Sequence, residues 1–99
     1  MSLTIEKRND QPAVLALTGR LDTVTAPELE AKLTELLPAA DSLTFDLEGL
    51  EYISSAGLRV ILKAQKALAD KAGLKLVHVP ESVMEVFDIT GFSDFLTIE

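Results

Sequence analysis

Three times along the chain a short apolar run gives way to a segment with apolar residues at helical spacing, and this alternation restricts the fold to layered α/β arrangements. Residues 14–17 form the first such run, before Thr18-Gly19. Thr25-Ala-Pro-Glu28 then has the Thr-x-x-Glu form of a capping box, and Leu29, Leu33, Leu36 and Leu37 follow at helical spacing until Pro38. Residues 43–47 read as a central strand that Glu48-Gly49 turns into a short loop. From Ser55 onward, Leu58, Ile61, Leu62, Ala64 and Leu68 build one apolar face, Arg59, Lys63, Lys66 and Asp70 sit largely opposite, and Gly73 closes the helix. Residues 74–79 read as a further strand. Pro80-Glu81 opens a third helix carrying Val83, Met84, Val86 and Phe87, which Gly91 ends before a last strand over residues 95–98.

Ahead of the first unit, Leu3 and Ile5 alternate with polar residues and Asn9-Asp-Gln-Pro12 reads as a turn, so the chain opens with a pair of strands. The resulting order is strand, strand, helix, strand, helix, strand, helix, strand. It predicts an α/β sheet with a parallel portion and right-handed crossovers. With 99 residues and no linker, repeat or low-complexity tract, one domain is expected over residues 1–99.

In such sheets functional loops gather at the carboxyl ends of the parallel strands, where the following helices present their N-termini. Ser54 and Ser55 are expected on that rim. One of them can cap the helix, and either can carry a phosphate at its positive end. Asp22, just after the second strand, reaches the same edge if the second and third strands are parallel neighbours.

Charge and composition remove several function classes. Sixteen acidic against nine basic residues give a net charge of −7, which argues against a nucleic-acid partner. No apolar run approaches the roughly 20 residues of a membrane-spanning helix, the N-terminus lacks the layout of a secretory signal, and there is no cysteine. A soluble cytoplasmic protein is expected. The serines lie in no Gly-x-Ser-x-Gly elbow, and neither a Gly-x-x-x-x-Gly-Lys loop nor a Gly-x-Gly-x-x-Gly fingerprint occurs. The single histidine, His78, lies in an apolar strand pattern and reads as a structural or surface imidazole rather than a base or ligand. No catalytic residues, cofactor or metal are expected, and the chain does not read as an enzyme.

The run Asp46-Leu-Glu-Gly-Leu-Glu-Tyr-Ile-Ser-Ser-Ala-Gly-Leu-Arg-Val60, with upstream Leu17-Thr-Gly-Arg-Leu-Asp22 and downstream Val83-x-x-Val-Phe-Asp-Ile-Thr-Gly-Phe92, resembles the STAS family of anti-sigma factor antagonists over nearly the whole chain. The resemblance implies a STAS-like mixed β-sheet packed by about three to four helices. It also implies a partner-switching cycle in transcription control. The unphosphorylated antagonist binds an anti-sigma factor serine kinase and frees the sigma factor, the kinase phosphorylates a serine at the start of the helix, and a PP2C-type phosphatase reverses this. Matched on the following glycine and leucine, that serine falls on Ser55, with Ser54 as cap or alternative acceptor. Many members have an aspartate before the acceptor and a serine or threonine after it, where this chain has Ser54 and Ala56.

Asp22 matches the acidic residue of the family's Gly-x-Leu-Asp loop and otherwise reads as a turn or cap aspartate. Ala56, Gly57, Leu58, Arg59 and Lys63 extend the implied docking face, although Leu58 also suits a core and the two cations suit solvent. Two other readings stand beside the switch. One is a STAS regulatory subunit of a lipid or other transporter ATPase, and the other, weaker for want of a base or metal cluster, is a small phosphate-binding enzyme.

Overall fold

The computed structural model describes residues 3–10, 13–94 and 96–99. The elements run β1 (Leu3–Asp10), β2 (Ala13–Leu21), α1 (Ala26–Leu36), β3 (Ser42–Ile53), α2 (Ser55–Ala67), β4 (Gly73–Val77), α3 (Glu81–Thr90) and β5 (Thr97–Ile98), with single 3₁₀ turns at Leu37–Ala39 and Phe92–Asp94. This is the order of elements expected from the sequence, with three α-helices among the described residues. Gln11 and Pro12 of the expected first turn, and Phe95 of the expected last strand, lie outside the described residues.

The five strands lie in the sheet in chain order. β1 and β2 are antiparallel, and every later pair is parallel. Because the parallel strands never reverse their order, right-handed crossovers deliver α1, α2 and α3 to one face of the sheet. Leu15 and Leu17 of β2, Leu43, Phe45 and Leu47 of β3, and Leu74 and Leu76 of β4 point into that layer. They meet Leu29 and Leu33 of α1, Leu58, Ile61 and Ala64 of α2, and Val83 and Phe87 of α3. The opposite face is more open. Across it Val14, Thr44, Lys75 and Thr97 pair in one row, and none of the four is buried.

Four local expectations give way to tertiary structure. Glu48-Gly49 does not end the third strand. β3 runs on to Ile53 and absorbs two register shifts against β2, between Ala16 and Thr18 and between Gly19 and Arg20, so that Leu21 and Ile53 still finish side by side. A side chain at residue 49 would meet Thr18 Oγ1 at 2.8 Å, so glycine allows the close approach of the two strands there.

Thr25 forms no capping box either. Its backbone is helical and its side chain makes no cap bond, because Oγ1 donates instead to the Arg20 carbonyl at 2.7 Å. Gly73 does not close α2. The helix ends at Ala67, and Gly73 opens β4 at φ 98°, a backbone geometry suited to glycine. His78 lies beyond β4, with φ 54°, and its side chain is exposed rather than enclosed in an apolar strand.

Candidate functional site

The carboxyl ends of β2 and β3 form the rim that carries the two serines. Parallel pairing brings Leu21 beside Ile53, and the Ser54 amide donates to the Leu21 carbonyl at 2.9 Å. This bond fixes the point at which β3 becomes α2. Ser54 holds an extended backbone, its Oγ accepts from the Gly57 amide at 3.3 Å, and its carbonyl accepts from the Leu58 amide at 2.9 Å. Ser54 is therefore the N-cap, satisfying one of the amides that a helix start leaves unpaired.

The cap frees its neighbour from that task. Ser55 is the first residue of α2 and is exposed to solvent. Gly57 seats this helix start closely on the sheet, since a Cβ there would lie 2.6 Å from Leu21 Cγ and 3.1 Å from Ile53 Cγ1. Leu58, 3% exposed, packs into the core and contributes no docking surface of its own. Ala56 is half-buried, while Arg59 and Lys63 are exposed on the outer side of the helix.

Asp22 reaches the same rim and has a structural task there. Its Oδ1 accepts from the Val24 and Thr25 amides, each at 3.0 Å, and its own amide donates to Thr25 Oγ1 at 2.9 Å. Aspartate is thus the residue that organises the entry to α1, the role that the sequence pattern had given to Thr25. The Thr25 amide, with help from the Val24 amide, the Thr25 hydroxyl and the Arg20 guanidinium, holds the Asp22 carboxyl below its ordinary range against the opposing pull of desolvation. The second oxygen, Oδ2, lies 3.8 Å from Arg20 Nε.

Three residues that motif reading missed complete the rim. Arg20 stacks its guanidinium 4.2 Å from the centre of the Tyr52 ring, and Tyr52 is 42% exposed. Val24 projects from the β2–α1 loop at 77% exposure. The first pair follows from the shifted register that sets Arg20 opposite Tyr52. Beside the rim, α1 and α2 flank a shallow depression of about 260 Å³ lined by Thr23, Pro27, Ala56 and Arg59 and by Glu30 and Lys63, which form an ion pair.

The chain's one imidazole serves neither serine. His78 Nδ1 lies 3.1 Å from Asp46 Oδ1, and Asp46 Oδ2 accepts from Arg8 at 3.2 Å. Burial pushes the Asp46 carboxyl up, but the Glu48 amide, His78 and Arg8 together outweigh it and leave the group below its ordinary value.

Residues 5–98, which include both serines and the Asp22 loop, match a family profile described as "Mlab, STAS domain". The Anti-sigma-B factor antagonist of Bacillus subtilis is 31% identical over 100 residues, covering 99% of this chain and 92% of that protein. The chain belongs to the STAS domain family, with the anti-sigma factor antagonists. The STAS fold is equally clear from solved structures. An anti-sigma factor antagonist from Mycobacterium paratuberculosis superposes with a TM-score of 0.87 at 22% identity, covering 97% of this chain and 84% of that one. The Bacillus cell fate determinant SpoIIAA, solved in its phosphorylated form, superposes with a TM-score of 0.73 at 21% identity, covering 98% and 90%. No helix among the described residues of this STAS domain is long and apolar enough to cross a membrane.

Proposed function

We propose that this STAS domain is the phosphorylatable member of a partner switch. In its unmodified form it docks on an anti-sigma factor serine kinase through the rim formed by Asp22, Ser54, Ser55, Ala56 and the exposed side of α2 at Arg59 and Lys63, and so frees a sigma factor. The kinase then transfers the γ-phosphoryl group of ATP to Ser55 Oγ, releasing ADP and the hydroxyl proton. A PP2C-type phosphatase hydrolyses the ester and resets the switch. Residues 1–99 act in this as one regulatory domain that does no chemistry of its own.

The observation that carries the reading is the division of labour between adjacent hydroxyls. Ser54 is engaged as the cap, whereas Ser55 is exposed one residue into the helix. A phosphate on Ser55 brings a charge of about −1.5 to −2 to a helix N-terminus, which tolerates it, so the domain keeps its fold while the rim gains negative charge. A kinase surface that fits the unmodified rim then loses its fit. The names of the relatives and the phosphorylated form of SpoIIAA support a phosphorylatable antagonist.

Incubation with the candidate kinase and ATP, followed by mass spectrometry, tests the acceptor. The expected product carries one phosphate on the fragment containing Ser55 and none in Ser55→Ala. An unmodified fragment in an assay where the kinase is active on another substrate contradicts the assignment.

The family resemblance also allows a second reading, a standing regulatory subunit of a transporter ATPase whose serine rim is only an interface. Ser55→Asp separates the two readings. The switch requires loss of kinase binding, while the subunit reading requires only a modest effect from an acid that the helix end accepts.

A further inference from the structure

On the face of the sheet opposite the helices, Asp46 is 8% exposed. The parallel register sets Asp46 opposite Val77, and the left-handed backbone of the next residue turns His78 back over the sheet, with Nδ1 3.1 Å from Asp46 Oδ1. Glu48 completes the group, its amide donating to Asp46 Oδ1 at 3.1 Å. One donor atom from each of Asp46, Glu48 and His78 lies within 4.8 Å of the other two. A depression of about 200 Å³ lined by Arg8, Thr18, Asp46, Glu48 and Gly49 opens beside them.

We infer that Asp46, Glu48 and His78 form a divalent metal site of the zinc class, separate from the serine rim and independent of any kinase. Ligands on one tetrahedral zinc ion stand about 3.3 Å apart, given metal–ligand distances of about 2.0–2.2 Å. Asp46 Oδ1 and His78 Nδ1 stand 3.1 Å apart, a hydrogen-bond separation that a metal taking the place of the ring proton would need to widen only slightly. Glu48 and His78 are both exposed, so side-chain rotation can close the remaining gap. One imidazole nitrogen and two carboxylate oxygens suit a borderline first-row cation, whereas calcium takes six to eight oxygens and magnesium keeps to oxygen and water.

Arg8 does not block the ion. It contacts Oδ2, while Oδ1 carries the Glu48 amide and the His78 ring nitrogen, whose hydrogen bond the metal would replace on loss of the ring proton, and the other partner of Arg8, Glu6, lies 2.7 Å from Nε. In that position Arg8 orients the ligand carboxylate, as outer-shell partners of metal ligands do. Two carboxylates and a neutral imidazole balance a divalent cation, and the net charge of −7 favours its approach.

His78 is the only histidine, so its ring protons report on the site directly. The full chain, free of any histidine tag, is titrated with zinc chloride by proton NMR and calorimetry, alongside His78→Asn, a residue that accepts the left-handed backbone. The expected result is a saturable, stoichiometric shift of the ring resonances, no shift with magnesium, and affinity reduced about tenfold or more in His78→Asn and in Glu48→Gln. Ring resonances that stay put in molar excess of zinc, or equal zinc affinity in wild type and His78→Asn, would reduce the cluster to an ion-pair network tying β1, β3 and the end of β4 together.

Discussion

The Ser54 amide donates to the Leu21 carbonyl at 2.9 Å, tying the exit of β3 to the exit of β2 at the residue where α2 begins. Everything on the rim is placed relative to this junction, and Gly57 is its tightest point. Gly57→Ala would drive a methyl group to 2.6 Å from the Leu21 side chain. Overpacking of this kind costs about 1–3 kcal/mol, more than the gain in helix propensity of about 1 kcal/mol. Urea unfolding is expected to show a lowered midpoint with an unchanged slope.

Ser54→Ala and Ser55→Ala are expected to separate stability from modification. Loss of the cap costs about 1 kcal/mol, whereas an exposed hydroxyl at the next position is worth less than about 0.5 kcal/mol. Thermal unfolding should therefore distinguish Ser54→Ala from wild type and leave Ser55→Ala nearly unchanged. Phosphorylation assays should show the reverse order, with Ser55→Ala inert.

Asp22 and Asp46 both titrate below their ordinary range in the folded protein. A depressed folded pKa stabilises the fold above the unfolded value of about 3.9, and that contribution is lost as pH falls through the lower, folded value. Their share of stability should be constant at neutral pH and disappear under acid conditions. Equilibrium unfolding from pH 7 downward is expected to show a shallower acid limb in Asp22→Asn and in Asp46→Asn than in wild type.

Phe87 is fully buried and carries the apolar face of α3 onto the sheet with Val83. Phe87→Ala is expected to cost about 3–5 kcal/mol, because a cavity replaces the ring. Chemical denaturation measures this loss. The rim is built by β2, β3, α1 and α2, so phosphorylation of Ser55 should persist in the variant under conditions where it remains folded.

Period and punctuation carried much of this fold in the sequence. The apolar stripe from Leu58 to Leu68 and the two serines before it placed the start of α2, and the strand–helix alternation placed Asp22 on the same edge once β2 and β3 proved to be parallel neighbours. What local pattern could not carry were residues whose roles depend on a neighbour distant in sequence. Glu48-Gly49 looks like a turn but serves as a bulge, because Thr18 on the adjacent strand requires the glycine. Thr25 looks like a cap, yet Arg20 takes its hydroxyl and Asp22 takes its amide. His78 looks isolated until the β3–β4 register sets it over Asp46. In each case a long-range pairing overrode a short-range signal.

The central claim is tested most directly by the affinity of the cognate serine kinase for two forms of the purified chain, one with serine at residue 55 and one with phosphoserine installed there during translation. The account predicts firm binding of the unmodified chain and a loss of about tenfold or more, some 1.4 kcal/mol, for the phosphorylated chain. Equal affinities in a phosphorylated chain that remains folded would contradict it.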